Sequence, residues 1–176
     1  MRAIVSAMLL LLVSNAASGQ SLLLHGSAGP TLIDSGYSAA AGIGFPPASR
    51  LTVLLGAERT HLSSRVTNDG RGGGSSFRGG TFTAAAAELR IELLGRDRVS
   101  PYVLGGVAAG VSRPNVNQTF PDPVTNNIRA LFFGGGIHVP FGERISAFGD
   151  ARMIVGDEAG ELLAILPVRV GLAWRF

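Results

Sequence analysis

Three residues close together in the sequence carry the side chains that nucleophilic catalysis uses. Glu58, His61 and Ser63 fall in the segment "ERTHLS". In such chemistry a serine attacks, a histidine takes its proton, and a carboxylate orients the histidine. In an extended strand, however, His61 shares its face with Leu55 and Ala57, whereas Glu58 falls on the opposite face. The pattern therefore offers a hydrolase hypothesis but predicts that His61 points away from the carboxylate.

A second group of residues can form buried ion pairs. Acidic and basic side chains recur on one face of several predicted strands, and Asp150–Arg152 and Glu88–Arg90 are pairs within one strand. In a confined interior an unpaired charge costs several kcal/mol, so pairing is expected whether the set gates a water path or holds strand register. We favour the second interpretation. The predicted network comprises Glu58, Glu88, Arg90, Glu92, Asp150, Arg152, Arg169 and Arg175.

No cofactor or metal site is predicted. His25 and His138 stand alone, without further ligand residues at useful spacing. The Gly-rich stretch 68–80 follows no strand-to-helix pattern, so it does not fit a phosphate-binding loop. All basic residues are arginine and none of them cluster, so no nucleic-acid partner is indicated.

The elements that must position these residues are strands. Apolar residues alternate with polar or small ones, as in "LTVLLGAERT" (51–60) and "PVRVGLAWRF" (167–176), which is the period of two that a strand requires. Eight candidate strands result. They run roughly over residues 21–28, 37–45, 50–62, 81–94, 101–112, 128–140, 144–155 and 164–176.

Composition places these strands in a membrane. Charged residues make up 15% of the 176 residues, against about 25% in soluble proteins. Yet beyond the first 20 residues no apolar run is long enough for a spanning helix. Only helices and closed barrels satisfy every backbone polar group in lipid. The absence of cysteine excludes a disulfide-stapled scaffold.

The first residues have the features of a secretory signal peptide. Arg2 precedes a short apolar run from Ile4 to Val13, and Ala17 and Gly19 form a small-x-small cleavage site. We predict that residues 1–19 are removed, with cleavage after Ala16 as the alternative. Residues 20–176 would then form one domain.

Three features indicate that the apolar faces point outward. The opposite faces carry pairable charges of both signs and many small residues, such as Gly106 and Gly134, that suit a narrow lumen. Trp174 and Phe176 end the last strand, where an aromatic girdle meets the membrane interface. Connections appear alternately long and short, with long ones first, third, fifth and seventh. The chain is therefore predicted to be all-β, an eight-stranded antiparallel up-and-down transmembrane β-barrel. A soluble lipocalin-like barrel is the alternative.

The chain resembles the small outer-membrane β-barrels of the OmpA/OmpX-like group. The resemblance rests on "SPYVLGGVAAGV" (100–111), "FFGGGIHVPFGERISAFGDARM" (132–153) and the last ten residues. It implies an outer-membrane location and lipid and lipopolysaccharide as surroundings. Members end on an aromatic residue that the barrel-assembly machinery reads, which implies such an assembly signal in Leu172, Trp174 and Phe176. The resemblance is specific for fold and location rather than for activity.

The resulting functional hypothesis is a non-catalytic structural or interaction protein of the outer membrane. External loops 63–80 and 113–127 would recognise any ligand, and Arg65, Arg71 and Arg78 could meet lipopolysaccharide phosphates. One alternative is a narrow ion or water channel gated by the lumen charges. The other is a lipid A hydrolase, because His61 and Ser63 are similar to the His-x-Ser pair of lipid A deacylases. In that family, however, the pair lies on a later strand.

Overall fold

The structure is a computed structural model that describes residues 22–32, 35–68, 74–77, 79–116, 124–158 and 161–176. The predicted signal peptide, 1–19, lies outside the described residues. Strands form the regular structure of these segments, and they are β1 (Leu23–Thr31), β2 (Gly36–Ala48), β3 (Leu51–Leu62), β4 (Arg65–Asn68), β5 (Gly74–Phe77), β6 (Gly80–Glu92), β7 (Ser100–Pro114), β8 (Asn126–Pro140), β9 (Ile145–Glu158), β10 (Glu161–Ile165) and β11 (Val168–Arg175).

The strands close into a barrel. β1, β2, β3, β6, β7, β8 and β9 pair in that order as antiparallel neighbours, and β11 pairs with both β9 and β1. β10 also pairs with β9, so β10 and β11 together form one barrel strand that is interrupted at Leu166 and Pro167. The prediction of an eight-stranded antiparallel barrel is confirmed. β4 and β5 form a separate hairpin within the connection between β3 and β6.

The two ends of the barrel differ, although less regularly than predicted. At the end that we call the loop end, the connections span 32–35, 63–79, 115–125 and 159–160. At the other end, the turn end, they span 49–50, 93–99 and 141–144, where Gly142 adopts a φ of 96°. The third and fifth connections are long, as predicted. The first and seventh are short because β1, β2, β9 and β10 continue further than the apolar pattern indicated.

Alternation assigns a lumen face and an outer face to each strand. On β8 the outward side chains of Leu131, Phe133 and Ile137 are 65%, 61% and 53% exposed, whereas inward Phe132 is 3% exposed. Leu172 and Val170 on β11 are likewise outward and exposed. The apolar rows therefore face outward, as predicted, and the inward faces carry charged, small and further apolar side chains. The described residues include no helix long and apolar enough to cross a membrane.

The lumen is filled in layers along the barrel axis. Nearest the loop end lie apolar side chains, among them Leu62, Phe82, Ile128, Ile154 and Ile165. Charged and aromatic side chains fill the middle. Small residues make this possible: a Cβ on Gly136 would lie 2.7 Å from Cζ of Tyr102, and one on Gly106 would lie 2.5 Å from Cζ of Phe132. Large rings fit into an eight-stranded barrel because glycines face them.

Candidate functional site

The middle layer of the lumen contains six charged side chains that form one cluster. Glu58 on β3, Glu88 and Arg90 on β6, Asp150 and Arg152 on β9, and Arg169 on β11 all project inward because of strand alternation. Three carboxylates meet three guanidinium groups, so the formal charges cancel. We call these six residues the lumen cluster. Apart from Glu58, which is partly buried, all are buried, and Arg169 is 2% exposed.

Arg152 is the most highly connected member of the lumen cluster. Its Nε and Nη2 donate to Oδ1 and Oδ2 of Asp150 at 3.1 and 3.0 Å, and its Nη1 donates to Oε2 of Glu88 at 2.9 Å. The other carboxylate oxygen of Glu88 accepts from Nη2 of Arg90 at 3.1 Å. This chain of charge-assisted hydrogen bonds compensates the desolvation of four buried ions.

Like Arg152 and Glu88, Arg169 and Glu58 form a contact across the lumen. Arg169 Nη1 lies 3.0 Å from Oε2 of Glu58, an ion pair without the angles of a hydrogen bond. Its Nε lies 3.6 Å from Oδ1 of Asp150, which joins this pair to the rest of the lumen cluster. Ser38 and Thr60 donate to the other oxygen of Glu58 at 3.3 and 3.4 Å.

Aromatic rings surround the guanidinium groups. Cζ of Arg90 lies 4.3 Å from the ring centroid of Tyr102 and 4.8 Å from that of Phe148, both within the range of cation–π attraction. Cζ of Arg152 lies 5.3 Å from the centroid of Phe132. The Tyr102 hydroxyl donates to Oδ2 of Asp150 at 3.2 Å. Sequence reasoning missed Tyr102, although its position on the same strand face as Leu104 and Ala108 was a usable signal.

Two predicted network residues lie outside the lumen cluster. Glu92 lies closer to the turn end, where Oε1 is 3.5 Å from Nε of Arg96 and Oε2 is 3.8 Å from Nδ1 of His138. Arg175 faces inward at the mouth of the barrel, where it lines a cavity of about 570 Å³, and it forms no ion pair with a described residue. The prediction of one eight-residue network was thus too broad, because the strands place these two side chains at a different depth.

Arg96 is a structural residue that the sequence did not reveal. It lies in the turn between β6 and β7, and its Nη2 donates to the carbonyl of Ala48 at 2.7 Å and also to that of Leu51. These bonds hold the turn at 93–99 against the turn at 49–50. Glu92 four residues earlier was the only local signal.

The residues of the hydrolase hypothesis do not assemble. Glu58 points into the lumen and is bound to Arg169, whereas His61 points outward. Nδ1 of His61 lies 3.1 Å from Oγ1 of Thr81, and its ring lies 5.4 Å from that of Tyr37. Ser63 is exposed just beyond the end of β3. The barrel wall separates the carboxylate from the histidine, so the three cannot act as a triad in this arrangement.

The other candidate residues are distributed as follows. Leu172, Trp174 and Phe176 face outward at the turn end, 62%, 48% and 65% exposed, and the Trp174 and Phe176 rings stack with centroids 6.2 Å apart. Arg71 and Arg78 lie outside the described residues, as does the side chain of Arg65, so loops 63–80 and 113–127 are only partly described. Within the described ranges, no group of three or more potential metal ligands occurs.

Comparison with solved structures identifies the fold. The N-terminal β-barrel domain of Pseudomonas aeruginosa OprF superposes with a TM-score of 0.62 at 15% identity, covering 89% of this chain and 97% of that one. A major outer membrane protein from Thermus thermophilus gives 0.59 at 18% identity, covering 90% and 100%. Ail of Yersinia pestis, in complex with the heparin analogue sucrose octasulfate, gives 0.50 at 15% identity, covering 89% and 98%.

These similarities concern structure alone. No protein-family model matches the sequence, and no curated protein sequence is significantly similar to it. The chain therefore has the fold of the small outer-membrane β-barrels, shared at a level of identity at which function does not follow from similarity.

Proposed function

From this shared fold, we propose that the chain is an integral β-barrel of the bacterial outer membrane. We further propose that it has a closed lumen and binds external partners through the connections at its loop end. The single observation that carries the proposal is the exposed row of large apolar side chains on the outer face of the barrel, while the charged lumen cluster lies inside. A protein that remains in water has no physical reason to expose Leu131, Phe133, Val170 and Leu172 in this way.

The distribution of outward residues fits a bilayer. Along β7 and β9 the outward positions from Val103 to Val111 and from Ile145 to Val155 carry no charge. These stretches are about the length of a transmembrane barrel strand. Trp174, Phe176 and Phe141 lie outward at the turn end, where an aromatic girdle is expected at the interface. Because outer-membrane barrels have short periplasmic turns, the turn end would face the periplasm.

The packing of the lumen supports a barrier rather than a pore. Among the described residues the lumen cluster borders a cavity of about 20 Å³, and the apolar layer above it borders one of about 40 Å³. Each has room for at most a few water molecules. The apolar side chains of Phe82, Phe132 and Ile165 lie between the lumen cluster and the loop end. A continuous column of water does not fit this arrangement.

The loop end is where recognition would take place. The connections 63–79 and 115–125 are the longest in the barrel, and β4 and β5 form a separate hairpin within the first of them. Binding residues commonly lie on loops that a rigid scaffold positions. Ail, a barrel of the same fold, was crystallised with a heparin analogue, so a sulfated saccharide is a reasonable first ligand to test.

Heat-modifiability tests the proposal directly. The protein would be purified from cell membranes in mild detergent and run on a denaturing gel, boiled and unboiled. We expect the unboiled barrel to resist the detergent and migrate at a different position until it is heated. A protein that is soluble without detergent and shows no shift would contradict membrane insertion, and with it the proposed location and function.

A further inference from the structure

Where its side chains are described, the outer face of the barrel carries charge at only one level. Among the described side chains of the barrel strands, four charged ones face outward, and they are Arg59 on β3, Arg113 on β7, Arg129 on β8 and Asp157 on β9. All four lie near the loop end. On each of these strands the outward positions further toward the turn end are apolar or small. The charges therefore mark the edge of the apolar band.

Arg129 lies beside a residue of opposite charge, whereas Arg59 and Arg113 do not. Arg129 pairs directly with Asp157 in the register of β8 and β9. Arg59 lies between Ala39 and Thr83, and Arg113 lies next to Thr81. Both arginines are exposed, and neither has an ion-pair partner among the described residues. We call Arg59 and Arg113 the rim arginines.

The rim arginines flank a polar strip. They belong to strands on either side of β6, and Arg113 lies opposite Thr81 whereas Arg59 lies opposite Thr83. Two strand spacings across and two residues along place their backbones roughly 12 Å apart. Thr81 and Thr83 face outward on β6 between them. Tyr37, His61, Thr81 and Arg113 follow one another across four strands in register, and His61 is hydrogen-bonded to Thr81 at 3.1 Å. Two arginines and two threonines thus lie on one outward patch.

We propose that this patch binds a phosphate group of a phosphorylated glycolipid of the outer leaflet. The inference rests on the proposed membrane insertion, because that insertion puts the edge of the apolar band at the level of the lipid head groups. A cation on the lipid-facing surface costs least near the interface and is attracted to anionic head groups there. Guanidinium groups bind phosphate oxygens in a bidentate manner, and hydroxyls supply further donors. The proposed ligand is therefore a lipid of the membrane itself and not a partner bound by the external loops.

The test compares two lipids and three variants. The protein would be incorporated into phosphatidylcholine nanodiscs and titrated with lipid A, either carrying its phosphates or dephosphorylated, with bound lipid counted by native mass spectrometry. The variants are R59Q/R113Q, which removes the site, R59K/R113K, which keeps the charge, and R50Q/R98Q, which removes the same charge at the turn end. Arg50 and Arg98 are exposed turn residues.

We expect the wild type and R50Q/R98Q to prefer phosphorylated lipid A equally. R59Q/R113Q should bind it roughly 30-fold more weakly, and R59K/R113K should lie between, because lysine keeps the charge but lacks the planar fork. Unchanged binding by R59Q/R113Q would overturn the inference. So would an equal loss in R50Q/R98Q, which would indicate unspecific charge attraction, or equal binding of dephosphorylated lipid A.

The heat-modifiable band distinguishes failure of the lipid site from failure of the proposed membrane insertion. Each variant would be run boiled and unboiled before titration. A wild type without a heat-modifiable form would overturn the proposed function and the lipid site together. A wild type and variants that all show the folded form, with no difference in lipid affinity, would overturn the lipid site alone.

Discussion

Arg152 on β9 and Glu88 on β6 are bonded to each other across the lumen, with Nη1 2.9 Å from Oε2. Two strands, β7 and β8, separate their strands in the sheet. Arg169 and Glu58 are related in the same way, since β1 and β2 lie between β11 and β3. These contacts join distant walls of the barrel as cross-braces. Asp150 links the two through its hydrogen bond with Arg152 and its ion pair with Arg169.

Removing one side of a cross-brace should destabilise the barrel. Breaking a buried pair leaves an uncompensated charge, so Arg152→Ala should lower the free energy of unfolding by about 3–5 kcal/mol. Urea unfolding of the refolded protein in lipid vesicles measures the effect. Arg144→Ala, at an exposed position in a turn, is the control and should change stability by less than about 0.5 kcal/mol. Equal effects of the two substitutions would show that the cross-brace contributes nothing.

Because the lumen is closed, we expect the barrel to conduct no ions. In planar bilayers the wild type should give no conductance steps, and Arg152→Ala should stay silent because Phe82, Phe132 and Ile165 still fill the lumen between the lumen cluster and the loop end. Steps in the wild type that change in size or frequency on Arg152→Ala would instead support the channel hypothesis. A porin reconstituted in the same bilayers serves as the positive control.

The inward glycines should be intolerant of side chains. Gly136→Ala would place a methyl group against the backbone oxygen of Gly149 and 2.7 Å from Cζ of Tyr102, and such overpacking costs about 1–3 kcal/mol. Gly149→Ala is the matched control, because its new Cβ would meet nothing closer than 3.7 Å. The melting of the heat-modifiable form compares the two. If the Gly136→Ala barrel were as stable as the Gly149→Ala barrel, the lumen around Gly136 would have room for a methyl group, contrary to its packing.

The separation of Glu58 from His61 predicts that lipid A remains intact. Mass spectra of lipid A from cells expressing the protein should show no loss of acyl chains, and Ser63→Ala should change nothing. Loss of an acyl chain that disappears on both His61→Ala and Ser63→Ala would revive the hydrolase hypothesis. The matching control is Ser64→Ala, one residue further along the same connection.

The outward aromatic residues at the end of β11 should affect the assembly of the barrel in cells more than the stability of the folded barrel. We propose that Phe176 is read by the barrel-assembly machinery together with Leu172 and Trp174. Phe176→Ala should therefore reduce the amount of folded barrel in cell outer membranes severalfold, while protein refolded in detergent keeps its heat-modifiable form. Val170→Ala, on the same face, should leave both unchanged. A normal membrane level for Phe176→Ala would contradict this role.

Strand number and strand faces could be read from the sequence. Residues such as Leu51, Val53, Glu58 and Thr60 alternate so regularly that each side of the barrel wall was assigned correctly. The lengths of the connections were harder. The first and seventh are short because β1 and β9 continue to Thr31 and Glu158. Beyond the apolar band, strands keep pairing through backbone hydrogen bonds that do not depend on a repeating pattern of side chains.

Alternation therefore settles which residues enter the lumen, because it depends on backbone geometry within a single strand. Which residues meet there depends on how the sheet closes. Closure and the stagger of the strands set the depth of each side chain along the barrel axis. Arg169 therefore reaches Glu58, whereas Glu92 and Arg175 lie outside the lumen cluster, nearer the turn end. Only in the closed barrel do Glu88 and Arg152, 64 residues apart in the chain, come within bonding distance.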